Sequence, residues 1–289
     1  MALSTGGDFL VVALGAAASF SRAGNLGGVA YDLYDPEALP AMRAALGAVE
    51  SGRIAVSVLG GPYKCPPAPY EAAFLLDEFL RRRGVRDDVE VMVTTPLPAT
   101  LPMAGAEVSG RVATALAGRG IELRTEHTVA GLDTAARSLS FDSADALGYD
   151  LLLAVPQAVP PRVVAESALA GEDGWVWPDR HTARTAFDGV YALGDCATVE
   201  SLPKAGVFAE AMGKVAAANI VAELTGTSPA SYDGAGYCFL EFPGQTASAL
   251  EGNFFAEPKP DLHMAEPDAE TYARKLAFEA ERLDEWLGA

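Results

Sequence analysis

The chain has 289 residues, half of them apolar, which is enough for one large or two ordinary domains with a substantial core and argues against disorder. A formal net charge of −18 argues against binding nucleic acid or an anionic membrane surface, since both select for Lys and Arg. Three cysteines, Cys65, Cys196 and Cys238, are too few and too widely spaced for a disulfide-stapled scaffold, and no C-x-x-C or paired histidines suggest zinc, so no metal site is expected.

In chain order, Leu10-Val-Val-Ala-Leu-Gly15 reads as a buried strand stopped by glycine. It could be mistaken for a signal peptide, but no basic segment precedes it and Asp8 does. Ser19 to Asp35 is polar and Gly-rich and reads as an irregular connection. Leu39, Met42, Leu46 and Val49 give helical spacing over 36–50. A strand at 54–59, a helix at 70–83 and a strand at 89–94 make one βαβ unit, which favours a parallel sheet. A helix at 105–118, a strand at 121–124, a short hairpin or meander over 128–132 and 138–141, and a buried strand at 149–155 follow. Residues 156–185 are irregular and suit a crossover between domains, with Trp175 and Trp177 ordering it. A strand at 189–193, a long helix over 205–224, β-like pieces such as 237–242 and a charged amphipathic tail helix over 268–287 complete the chain. No run is long enough to span a bilayer.

The loop Pro62-Tyr-Lys-Cys-Pro-Pro-Ala-Pro-Tyr-Glu71 sits between the strand at 54–59 and the following helix, where an α/β protein keeps its ligand loop. A nicotinamide-binding turn would read G-x-G-x-x-G there, so that backbone amides approach a pyrophosphate. Only Gly60 and Gly61 remain, followed by four prolines, which lack N–H donors and stiffen the chain. The loop is suited to presenting a thiol. Cys65 near a helix N-terminus, with Lys64 beside it, has the surroundings of a nucleophilic or redox thiolate. A small buried hydrophobe is the plainer alternative. Cys196 is read as packing under the sheet, and His127, His181 and His263 form no cluster.

Gly189-Val-Tyr-Ala-Leu-Gly-Asp-Cys-Ala197 places Asp195 after a strand and a glycine, where its carboxylate can accept hydrogen bonds from a polyol, while the next helix can aim its N-terminus at an electron-rich ring carbonyl.

Together with the strand ending at Gly15, with Arg184-Thr185, Leu202-Pro-Lys-Ala-Gly206 and Tyr232-Asp-Gly-Ala-Gly-Tyr-Cys238, these motifs resemble the two-dinucleotide-binding-domain flavoproteins. Within them the chain is similar to the sulfide:quinone oxidoreductases and the flavoprotein of flavocytochrome c sulfide dehydrogenase. The resemblance covers most of the chain. It implies an α/β fold with two Rossmann-type dinucleotide-binding domains, the FAD domain incomplete, and a small C-terminal α+β domain. The implied boundaries are 1–40 for the remnant of the FAD domain, 41–156 for the second Rossmann-type domain, 157–226 for the return to the FAD domain, and 227–289 for the C-terminal domain. It also implies a flavin-dependent oxidoreductase with FAD as cofactor, sulfide or a related sulfur species as substrate, and a quinone or cytochrome as acceptor. Cys65 and Cys238 would be the redox pair forming a persulfide, and Glu71 a proton-moving carboxylate, although an ordinary acidic residue of a first helical turn explains Glu71 equally well. Gly15, Gly194, Asp195, Lys204, Ala205 and Gly206 would hold the flavin.

The sequence departs from the family in front of Asp8, where no G-x-G-x-x-G occurs. Family members place the adenosine-diphosphate loop upstream of this strand, and Gly24–Gly28 follows no suitable strand, so the expectation is an N-terminally shortened chain that binds FAD weakly by itself. The tail is acidic where membrane-bound quinone enzymes carry apolar amphipathic helices. Quinone access through Phe239, Phe242, Phe254 and Phe255 is one reading of those aromatics; core packing is the other. The expected location is cytoplasmic or peripheral to the membrane, or periplasmic if a leader is missing. The rival readings are a nicotinamide-dependent flavoprotein of the type II NADH dehydrogenase kind, and a non-catalytic remnant that binds a partner.

Overall fold

The computed structural model describes residues 7–24 and 26–288; Asn25, within the Gly24–Gly28 stretch considered above, lies outside the described residues. In chain order the elements are β1 (Leu10–Val12), β2 (Ala17–Ser19), β3 (Ala30–Asp32), α1 (Leu39–Ala48), β4 (Gly52–Val58), α2 (Ala68–Arg83), β5 (Val89–Thr94), α3 (Gly105–Ala117), β6 (Ile121–Arg124), β7 (Val129–Asp133), β8 (Ser138–Phe141), β9 (Leu147–Gly148) and β10 (Leu151–Val155). They continue with β11 (Gln157–Val159), α4 (Arg162–Ala165), β12 (Val190–Ala192), α5 (Gly206–Thr225), β13 (Ala235–Phe242), β14 (Thr246–Asn253), β15 (Asp261–Met264) and α6 (Ala269–Leu287).

The chain divides into two compact units. The larger comprises Ser19–Gln157, Tyr237–Glu251 and the residues from Leu262 on; the smaller comprises Ala158–Gly236, Gly252–Asp261 and the described residues up to Ala18. Residues 227–289, expected as one C-terminal domain, are thus shared between the two.

The larger unit is built on a five-stranded parallel sheet in the order β3-β10-β4-β5-β6. Its strands are apolar on both sides, as a doubly covered parallel sheet requires. Ile54, Val56, Val91, Val93, Leu151 and Leu153 point to one face and join the core made with α1, α2 and α3. Ala55, Met92, Leu152 and Ala154 point to the other and pack under the β7-β8-β9 meander through Val129, Leu139 and Leu147. Helix α2 ends at Gly84, whose φ of +74° is the left-handed C-terminal position that glycine fills without strain. A second sheet, β13-β14-β15, joins the helical face: Leu240, Phe242, Leu250 and Met264 share the core with Phe74, and the Phe74 and Phe242 rings lie 4.6 Å apart. On β13 the even positions Leu240 and Phe242 therefore face α2, while Tyr237 and Phe239 pack edge-on against Phe278 of α6.

In the smaller unit β1 pairs in parallel with β12, from Leu10 opposite Val190 to Val12 opposite Ala192. Only Val12 of β1 is buried, with Val164, Val176, Ala192 and Cys196; Leu10, Val11 and Leu14 are exposed. The expectation of a buried strand over Leu10-Val-Val-Ala-Leu-Gly15 is corrected here, because β1 has β12 as its one partner and its outward residues stay uncovered among the described residues. Other departures are β3, β11 and α4, inside stretches expected to be irregular, and the pair β14 and β15.

Candidate functional site

The thiol loop leaves the C-terminal end of β4, where an open parallel sheet presents its ligand loops. Three side chains of the larger unit hold it by its carbonyls: Tyr34 donates to Lys64 O at 2.5 Å, Tyr63 to Pro66 O at 3.3 Å, and Gln157 Nε2 to Gly61 O at 2.7 Å. Such fixing is needed, because Cys65 has a φ of +51°, a left-handed conformation costing a residue with a side chain roughly 1–2 kcal/mol. Helix α2 then begins at Ala68 with Pro67 as its N-cap, and Glu71 lies in its first turn.

Cys238 stands on β13, on the side of the strand that carries Leu240 and Phe242 toward α2. The Cys65 and Cys238 side chains are hydrogen-bonded to each other, both remain free thiols, and both are half-buried. The hydrogen bond from Cys238 pushes the Cys65 thiol down from its ordinary value; burial and the Glu71 charge oppose this, while the Ala68 N–H and Lys275 assist it. Cys238 is pushed up by donating to Cys65, by burial and by the Cys65 and Glu71 charges, with Lys275 working the other way.

Glu71 Oε2 accepts the Glu241 N–H at 2.7 Å, and Glu71 Oε1 accepts Lys275 Nζ at 2.9 Å. Lys275 also donates to Glu241 Oε2 at 2.6 Å. Burial works against the Lys275 charge, but the two carboxylates outweigh it and raise its pKa. Of the residues expected from the sequence, Cys65, Cys238 and Glu71 are therefore brought together. The expected positive neighbour is different: Lys64 Nζ lies over the Tyr34 ring, 5.8 Å from its centroid, and Lys275 supplies the charge that acts on Cys65. Glu241 and Lys275 escaped sequence reasoning. A residue some 200 positions from Glu71 carries no local signal, beyond Lys275, Phe278 and Arg282 sharing one face of the tail helix.

The other expected residues belong to the smaller unit. Gly15 follows β1 with φ +66°, and Gly194 follows β12 with φ +69°. A Cβ at Gly194 would stand 3.3 Å from that of Ala209, so the turn there closes tightly on α5. Asp195 occupies the single 3-10 turn Gly194–Cys196. Helix α5 starts at Gly206, with Ala205 as an extended N-cap that has no side-chain hydrogen bond and no acidic residue in the first turn. A long helix with an uncapped, uncharged start next to a carboxylate is a set of donors and acceptor that fits the carbonyl-rich and polyol parts of a flavin. Lys204 is committed elsewhere: its Nζ donates to Asp195 O at 2.8 Å and Ala197 O at 3.2 Å, and sits 3.5 Å from the Trp175 ring centroid. Burial lowers its pKa, with the Asp195 charge opposing. Cys196 is fully buried and donates to the Leu193 and Val12 carbonyls. Phe242, Phe254 and Phe255 are buried: Phe242 packs on Phe74, Phe254 on Phe208, and Phe255 on His181 and Tyr232.

Residues 43–216 match the family described as pyridine nucleotide-disulphide oxidoreductase. Among curated relatives, the mitochondrial sulfide:quinone oxidoreductase of Schizosaccharomyces pombe is 25% identical over 249 residues, covering 81% of this chain and 54% of the relative. The chain spans about half the length, or less, of the curated relatives it matches. Among solved structures, the sulfide:quinone oxidoreductase of Aquifex aeolicus aligns with a TM-score of 0.80 at 20% identity, covering 96% of this chain and 68% of that one. A NAD-dependent persulfide reductase of A. fulgidus aligns with a TM-score of 0.61 at 22% identity, covering 85% and 44%. At these identities the two structures speak for the fold.

Proposed function

The chain belongs to the pyridine nucleotide-disulphide oxidoreductase family, and from that premise we propose that it carries the thiol chemistry of an FAD-dependent oxidoreductase of the sulfide:quinone oxidoreductase type. The observation that supports this reading is the Cys65–Cys238 pair: two sulfurs from a loop and a distant strand, hydrogen-bonded, in different ionisation preferences, beside a carboxylate. In the oxidised pair, HS⁻ attacks one sulfur and the S–S bond breaks. A persulfide remains on the attacked cysteine, and the electron pair of the broken bond stays on the other as a thiolate. The better leaving sulfur is the one whose thiolate is favoured, which assigns Cys65 as the leaving thiolate and Cys238 as the persulfide carrier. FAD, when bound, would accept the two electrons released as the Cys65 thiolate forms a new S–S bond to the outer sulfur carried on Cys238 and the persulfide proton leaves, with a quinone or a cytochrome as the final acceptor.

For that cofactor Gly15, Gly194 and Asp195 would hold the ribityl side, and the amides of Ala205 and Gly206 the pyrimidine side. Lys204, clamped on the Asp195 and Ala197 carbonyls, would keep that loop in shape. Glu71, whose two oxygens accept the Glu241 N–H and the Lys275 ammonium, would first of all keep α2 and β13 together. Sulfide is the proposed substrate. No described helix is long and apolar enough to cross a membrane.

The test needs no flavin. After mild oxidation of the chain, peptide-resolved mass spectrometry is expected to find a Cys65–Cys238 disulfide, and added sulfide to leave one extra sulfur on the Cys238 peptide. The variants Cys65→Ser and Cys238→Ser should form neither species. An oxidised chain that forms no such bond, or whose bond sulfide leaves intact, would overturn the reading.

A further inference from the structure

The cation of the thiol site comes from the tail helix. Lys275 Nζ bridges Glu71 of α2, at 2.9 Å, and Glu241 of β13, at 2.6 Å, while the second oxygen of Glu71 takes the Glu241 N–H at 2.7 Å. That N–H is available because β13 is the edge of its sheet, with β14 on one side only. Helix α2 follows the Cys65 loop and β13 carries Cys238, so this small cycle of hydrogen bonds joins the two segments on which the sulfurs ride. The side chains of Lys275, Glu71 and Glu241 are only 25%, 25% and 20% exposed, so water screens their charges in part. The neighbouring cations of α6 are turned to other tasks: Arg274 faces Glu251 and lies over the Phe239 ring, and Arg282 stacks on Phe278 and reaches the Tyr237 hydroxyl.

We propose that Lys275 is a positioning residue for the thiol pair, fixing α2 against β13 through Glu71 and Glu241 and offsetting the Glu71 charge beside the two sulfurs. The use made of the pair rests on the proposed function; the link between Lys275 and the thiols does not. The groups that bear on the pair are Glu71 and the Ala68 N–H from α2, Lys275 from α6, and Tyr63 and Tyr34 beneath the loop, while Glu241 of β13 reaches it through Lys275. Burial keeps both tyrosines protonated. At neutral pH, then, one ammonium stands against two carboxylates. Without the ammonium, the Glu71 charge disfavours a thiolate unopposed; without the Glu241 charge, the ammonium acts on the sulfurs more strongly.

These opposite signs give the test. Alkylation of Cys65 and Cys238 by iodoacetamide is followed against pH on the full chain, with each cysteine resolved by mass spectrometry. Lys275→Met is expected to raise the pH midpoint of Cys65 alkylation by about one unit, a roughly tenfold loss of rate at pH 7. Lys275→Arg should restore the midpoint, and Glu241→Gln should lower it. Midpoints that stay with the native chain in both Lys275→Met and Glu241→Gln, or that move the same way in the two, overturn the proposal. If circular dichroism shows Lys275→Met to be unfolded, Glu241→Gln decides alone: a lowered midpoint supports the proposal, and an unmoved or raised one overturns it. If the Lys275 dependence holds while sulfide leaves the oxidised pair intact, the proposed function falls and the positioning role stands. If sulfide opens the pair while the midpoints ignore Lys275 and Glu241, the positioning role falls and the proposed function stands.

Discussion

A sulfur that accepts hydrogen bonds keeps its thiolate to lower pH than one that donates them. Cys65 accepts from Cys238 and faces the Ala68 N–H, so it is the one pushed down, and Cys238 the one pushed up. Replacing the donor should show this directly: Cys238→Ala is expected to slow alkylation of Cys65 at pH 7 by about tenfold, one unit of thiol pKa, while Cys238→Ser, which keeps a donor, should slow it less. Equal rates in native chain and Cys238→Ala would place the stabilisation elsewhere. At this scale the sequence made Cys65 conspicuous, through a proline-filled loop ahead of a helix, and the second cysteine came from the family resemblance. It misdirected the choice of cation, because adjacency along a loop does not fix where a long side chain points: Lys64 turns to the Tyr34 ring, and Lys275 arrives from another element. Lys204, which the family resemblance puts near the flavin, directs its ammonium to two carbonyls and an indole.

Helix α2 is anchored at both ends by charge. Its first turn holds Glu71; toward its last turn Asp77, fully buried, takes Arg81, Arg86 and Arg119 at 2.9, 2.6 and 2.8 Å. Burial would raise the Asp77 pKa, but the three arginines together hold it below the ordinary carboxylate range. A carboxyl depressed in the folded state stabilises the fold above its unfolded value and loses that contribution as pH falls through the folded one, so this share should vanish from about pH 4 downward. Asp77→Asn, which strands three guanidinium groups, is expected to cost about 3 kcal/mol in urea unfolding at pH 7, and its deficit relative to the native chain should shrink in acid. A deficit that is constant with pH would argue for lost packing in place of lost charge. The elements themselves were largely legible: β4, β5, β6, β10 and α1 to α3 follow from apolar runs and helical spacing. Short strands were not. β3, β14 and β15 lie among glycines, prolines and polar residues, and they are strands because neighbouring backbone pairs with them, which no local pattern records.

For the molecule as a whole, the flavin is the clearest point of strain between sequence and family. The residues around Gly194 and the start of α5 are the ones proposed for the ribityl and pyrimidine parts, while the given sequence contains no G-x-G-x-x-G for the adenosine diphosphate. FAD titrated into the purified chain is therefore expected to bind weakly, with a dissociation constant of about micromolar or more; flavin that copurifies in stoichiometric amount would contradict this. The division of the chain was the least legible feature, because β13, β14 and β15, all from past residue 234, complete a core laid down before residue 157, and such returns leave no mark in composition. They do have a consequence in time. Glu71 meets the Glu241 amide across 170 positions and Lys275 across 204, so a ribosome that has delivered the entire parallel sheet has still not delivered the partner sulfur or its ammonium. Until β13 and α6 have been made, the growing polypeptide carries the Cys65 loop without Cys238 and Lys275, so the proposed sulfur chemistry has to wait for both.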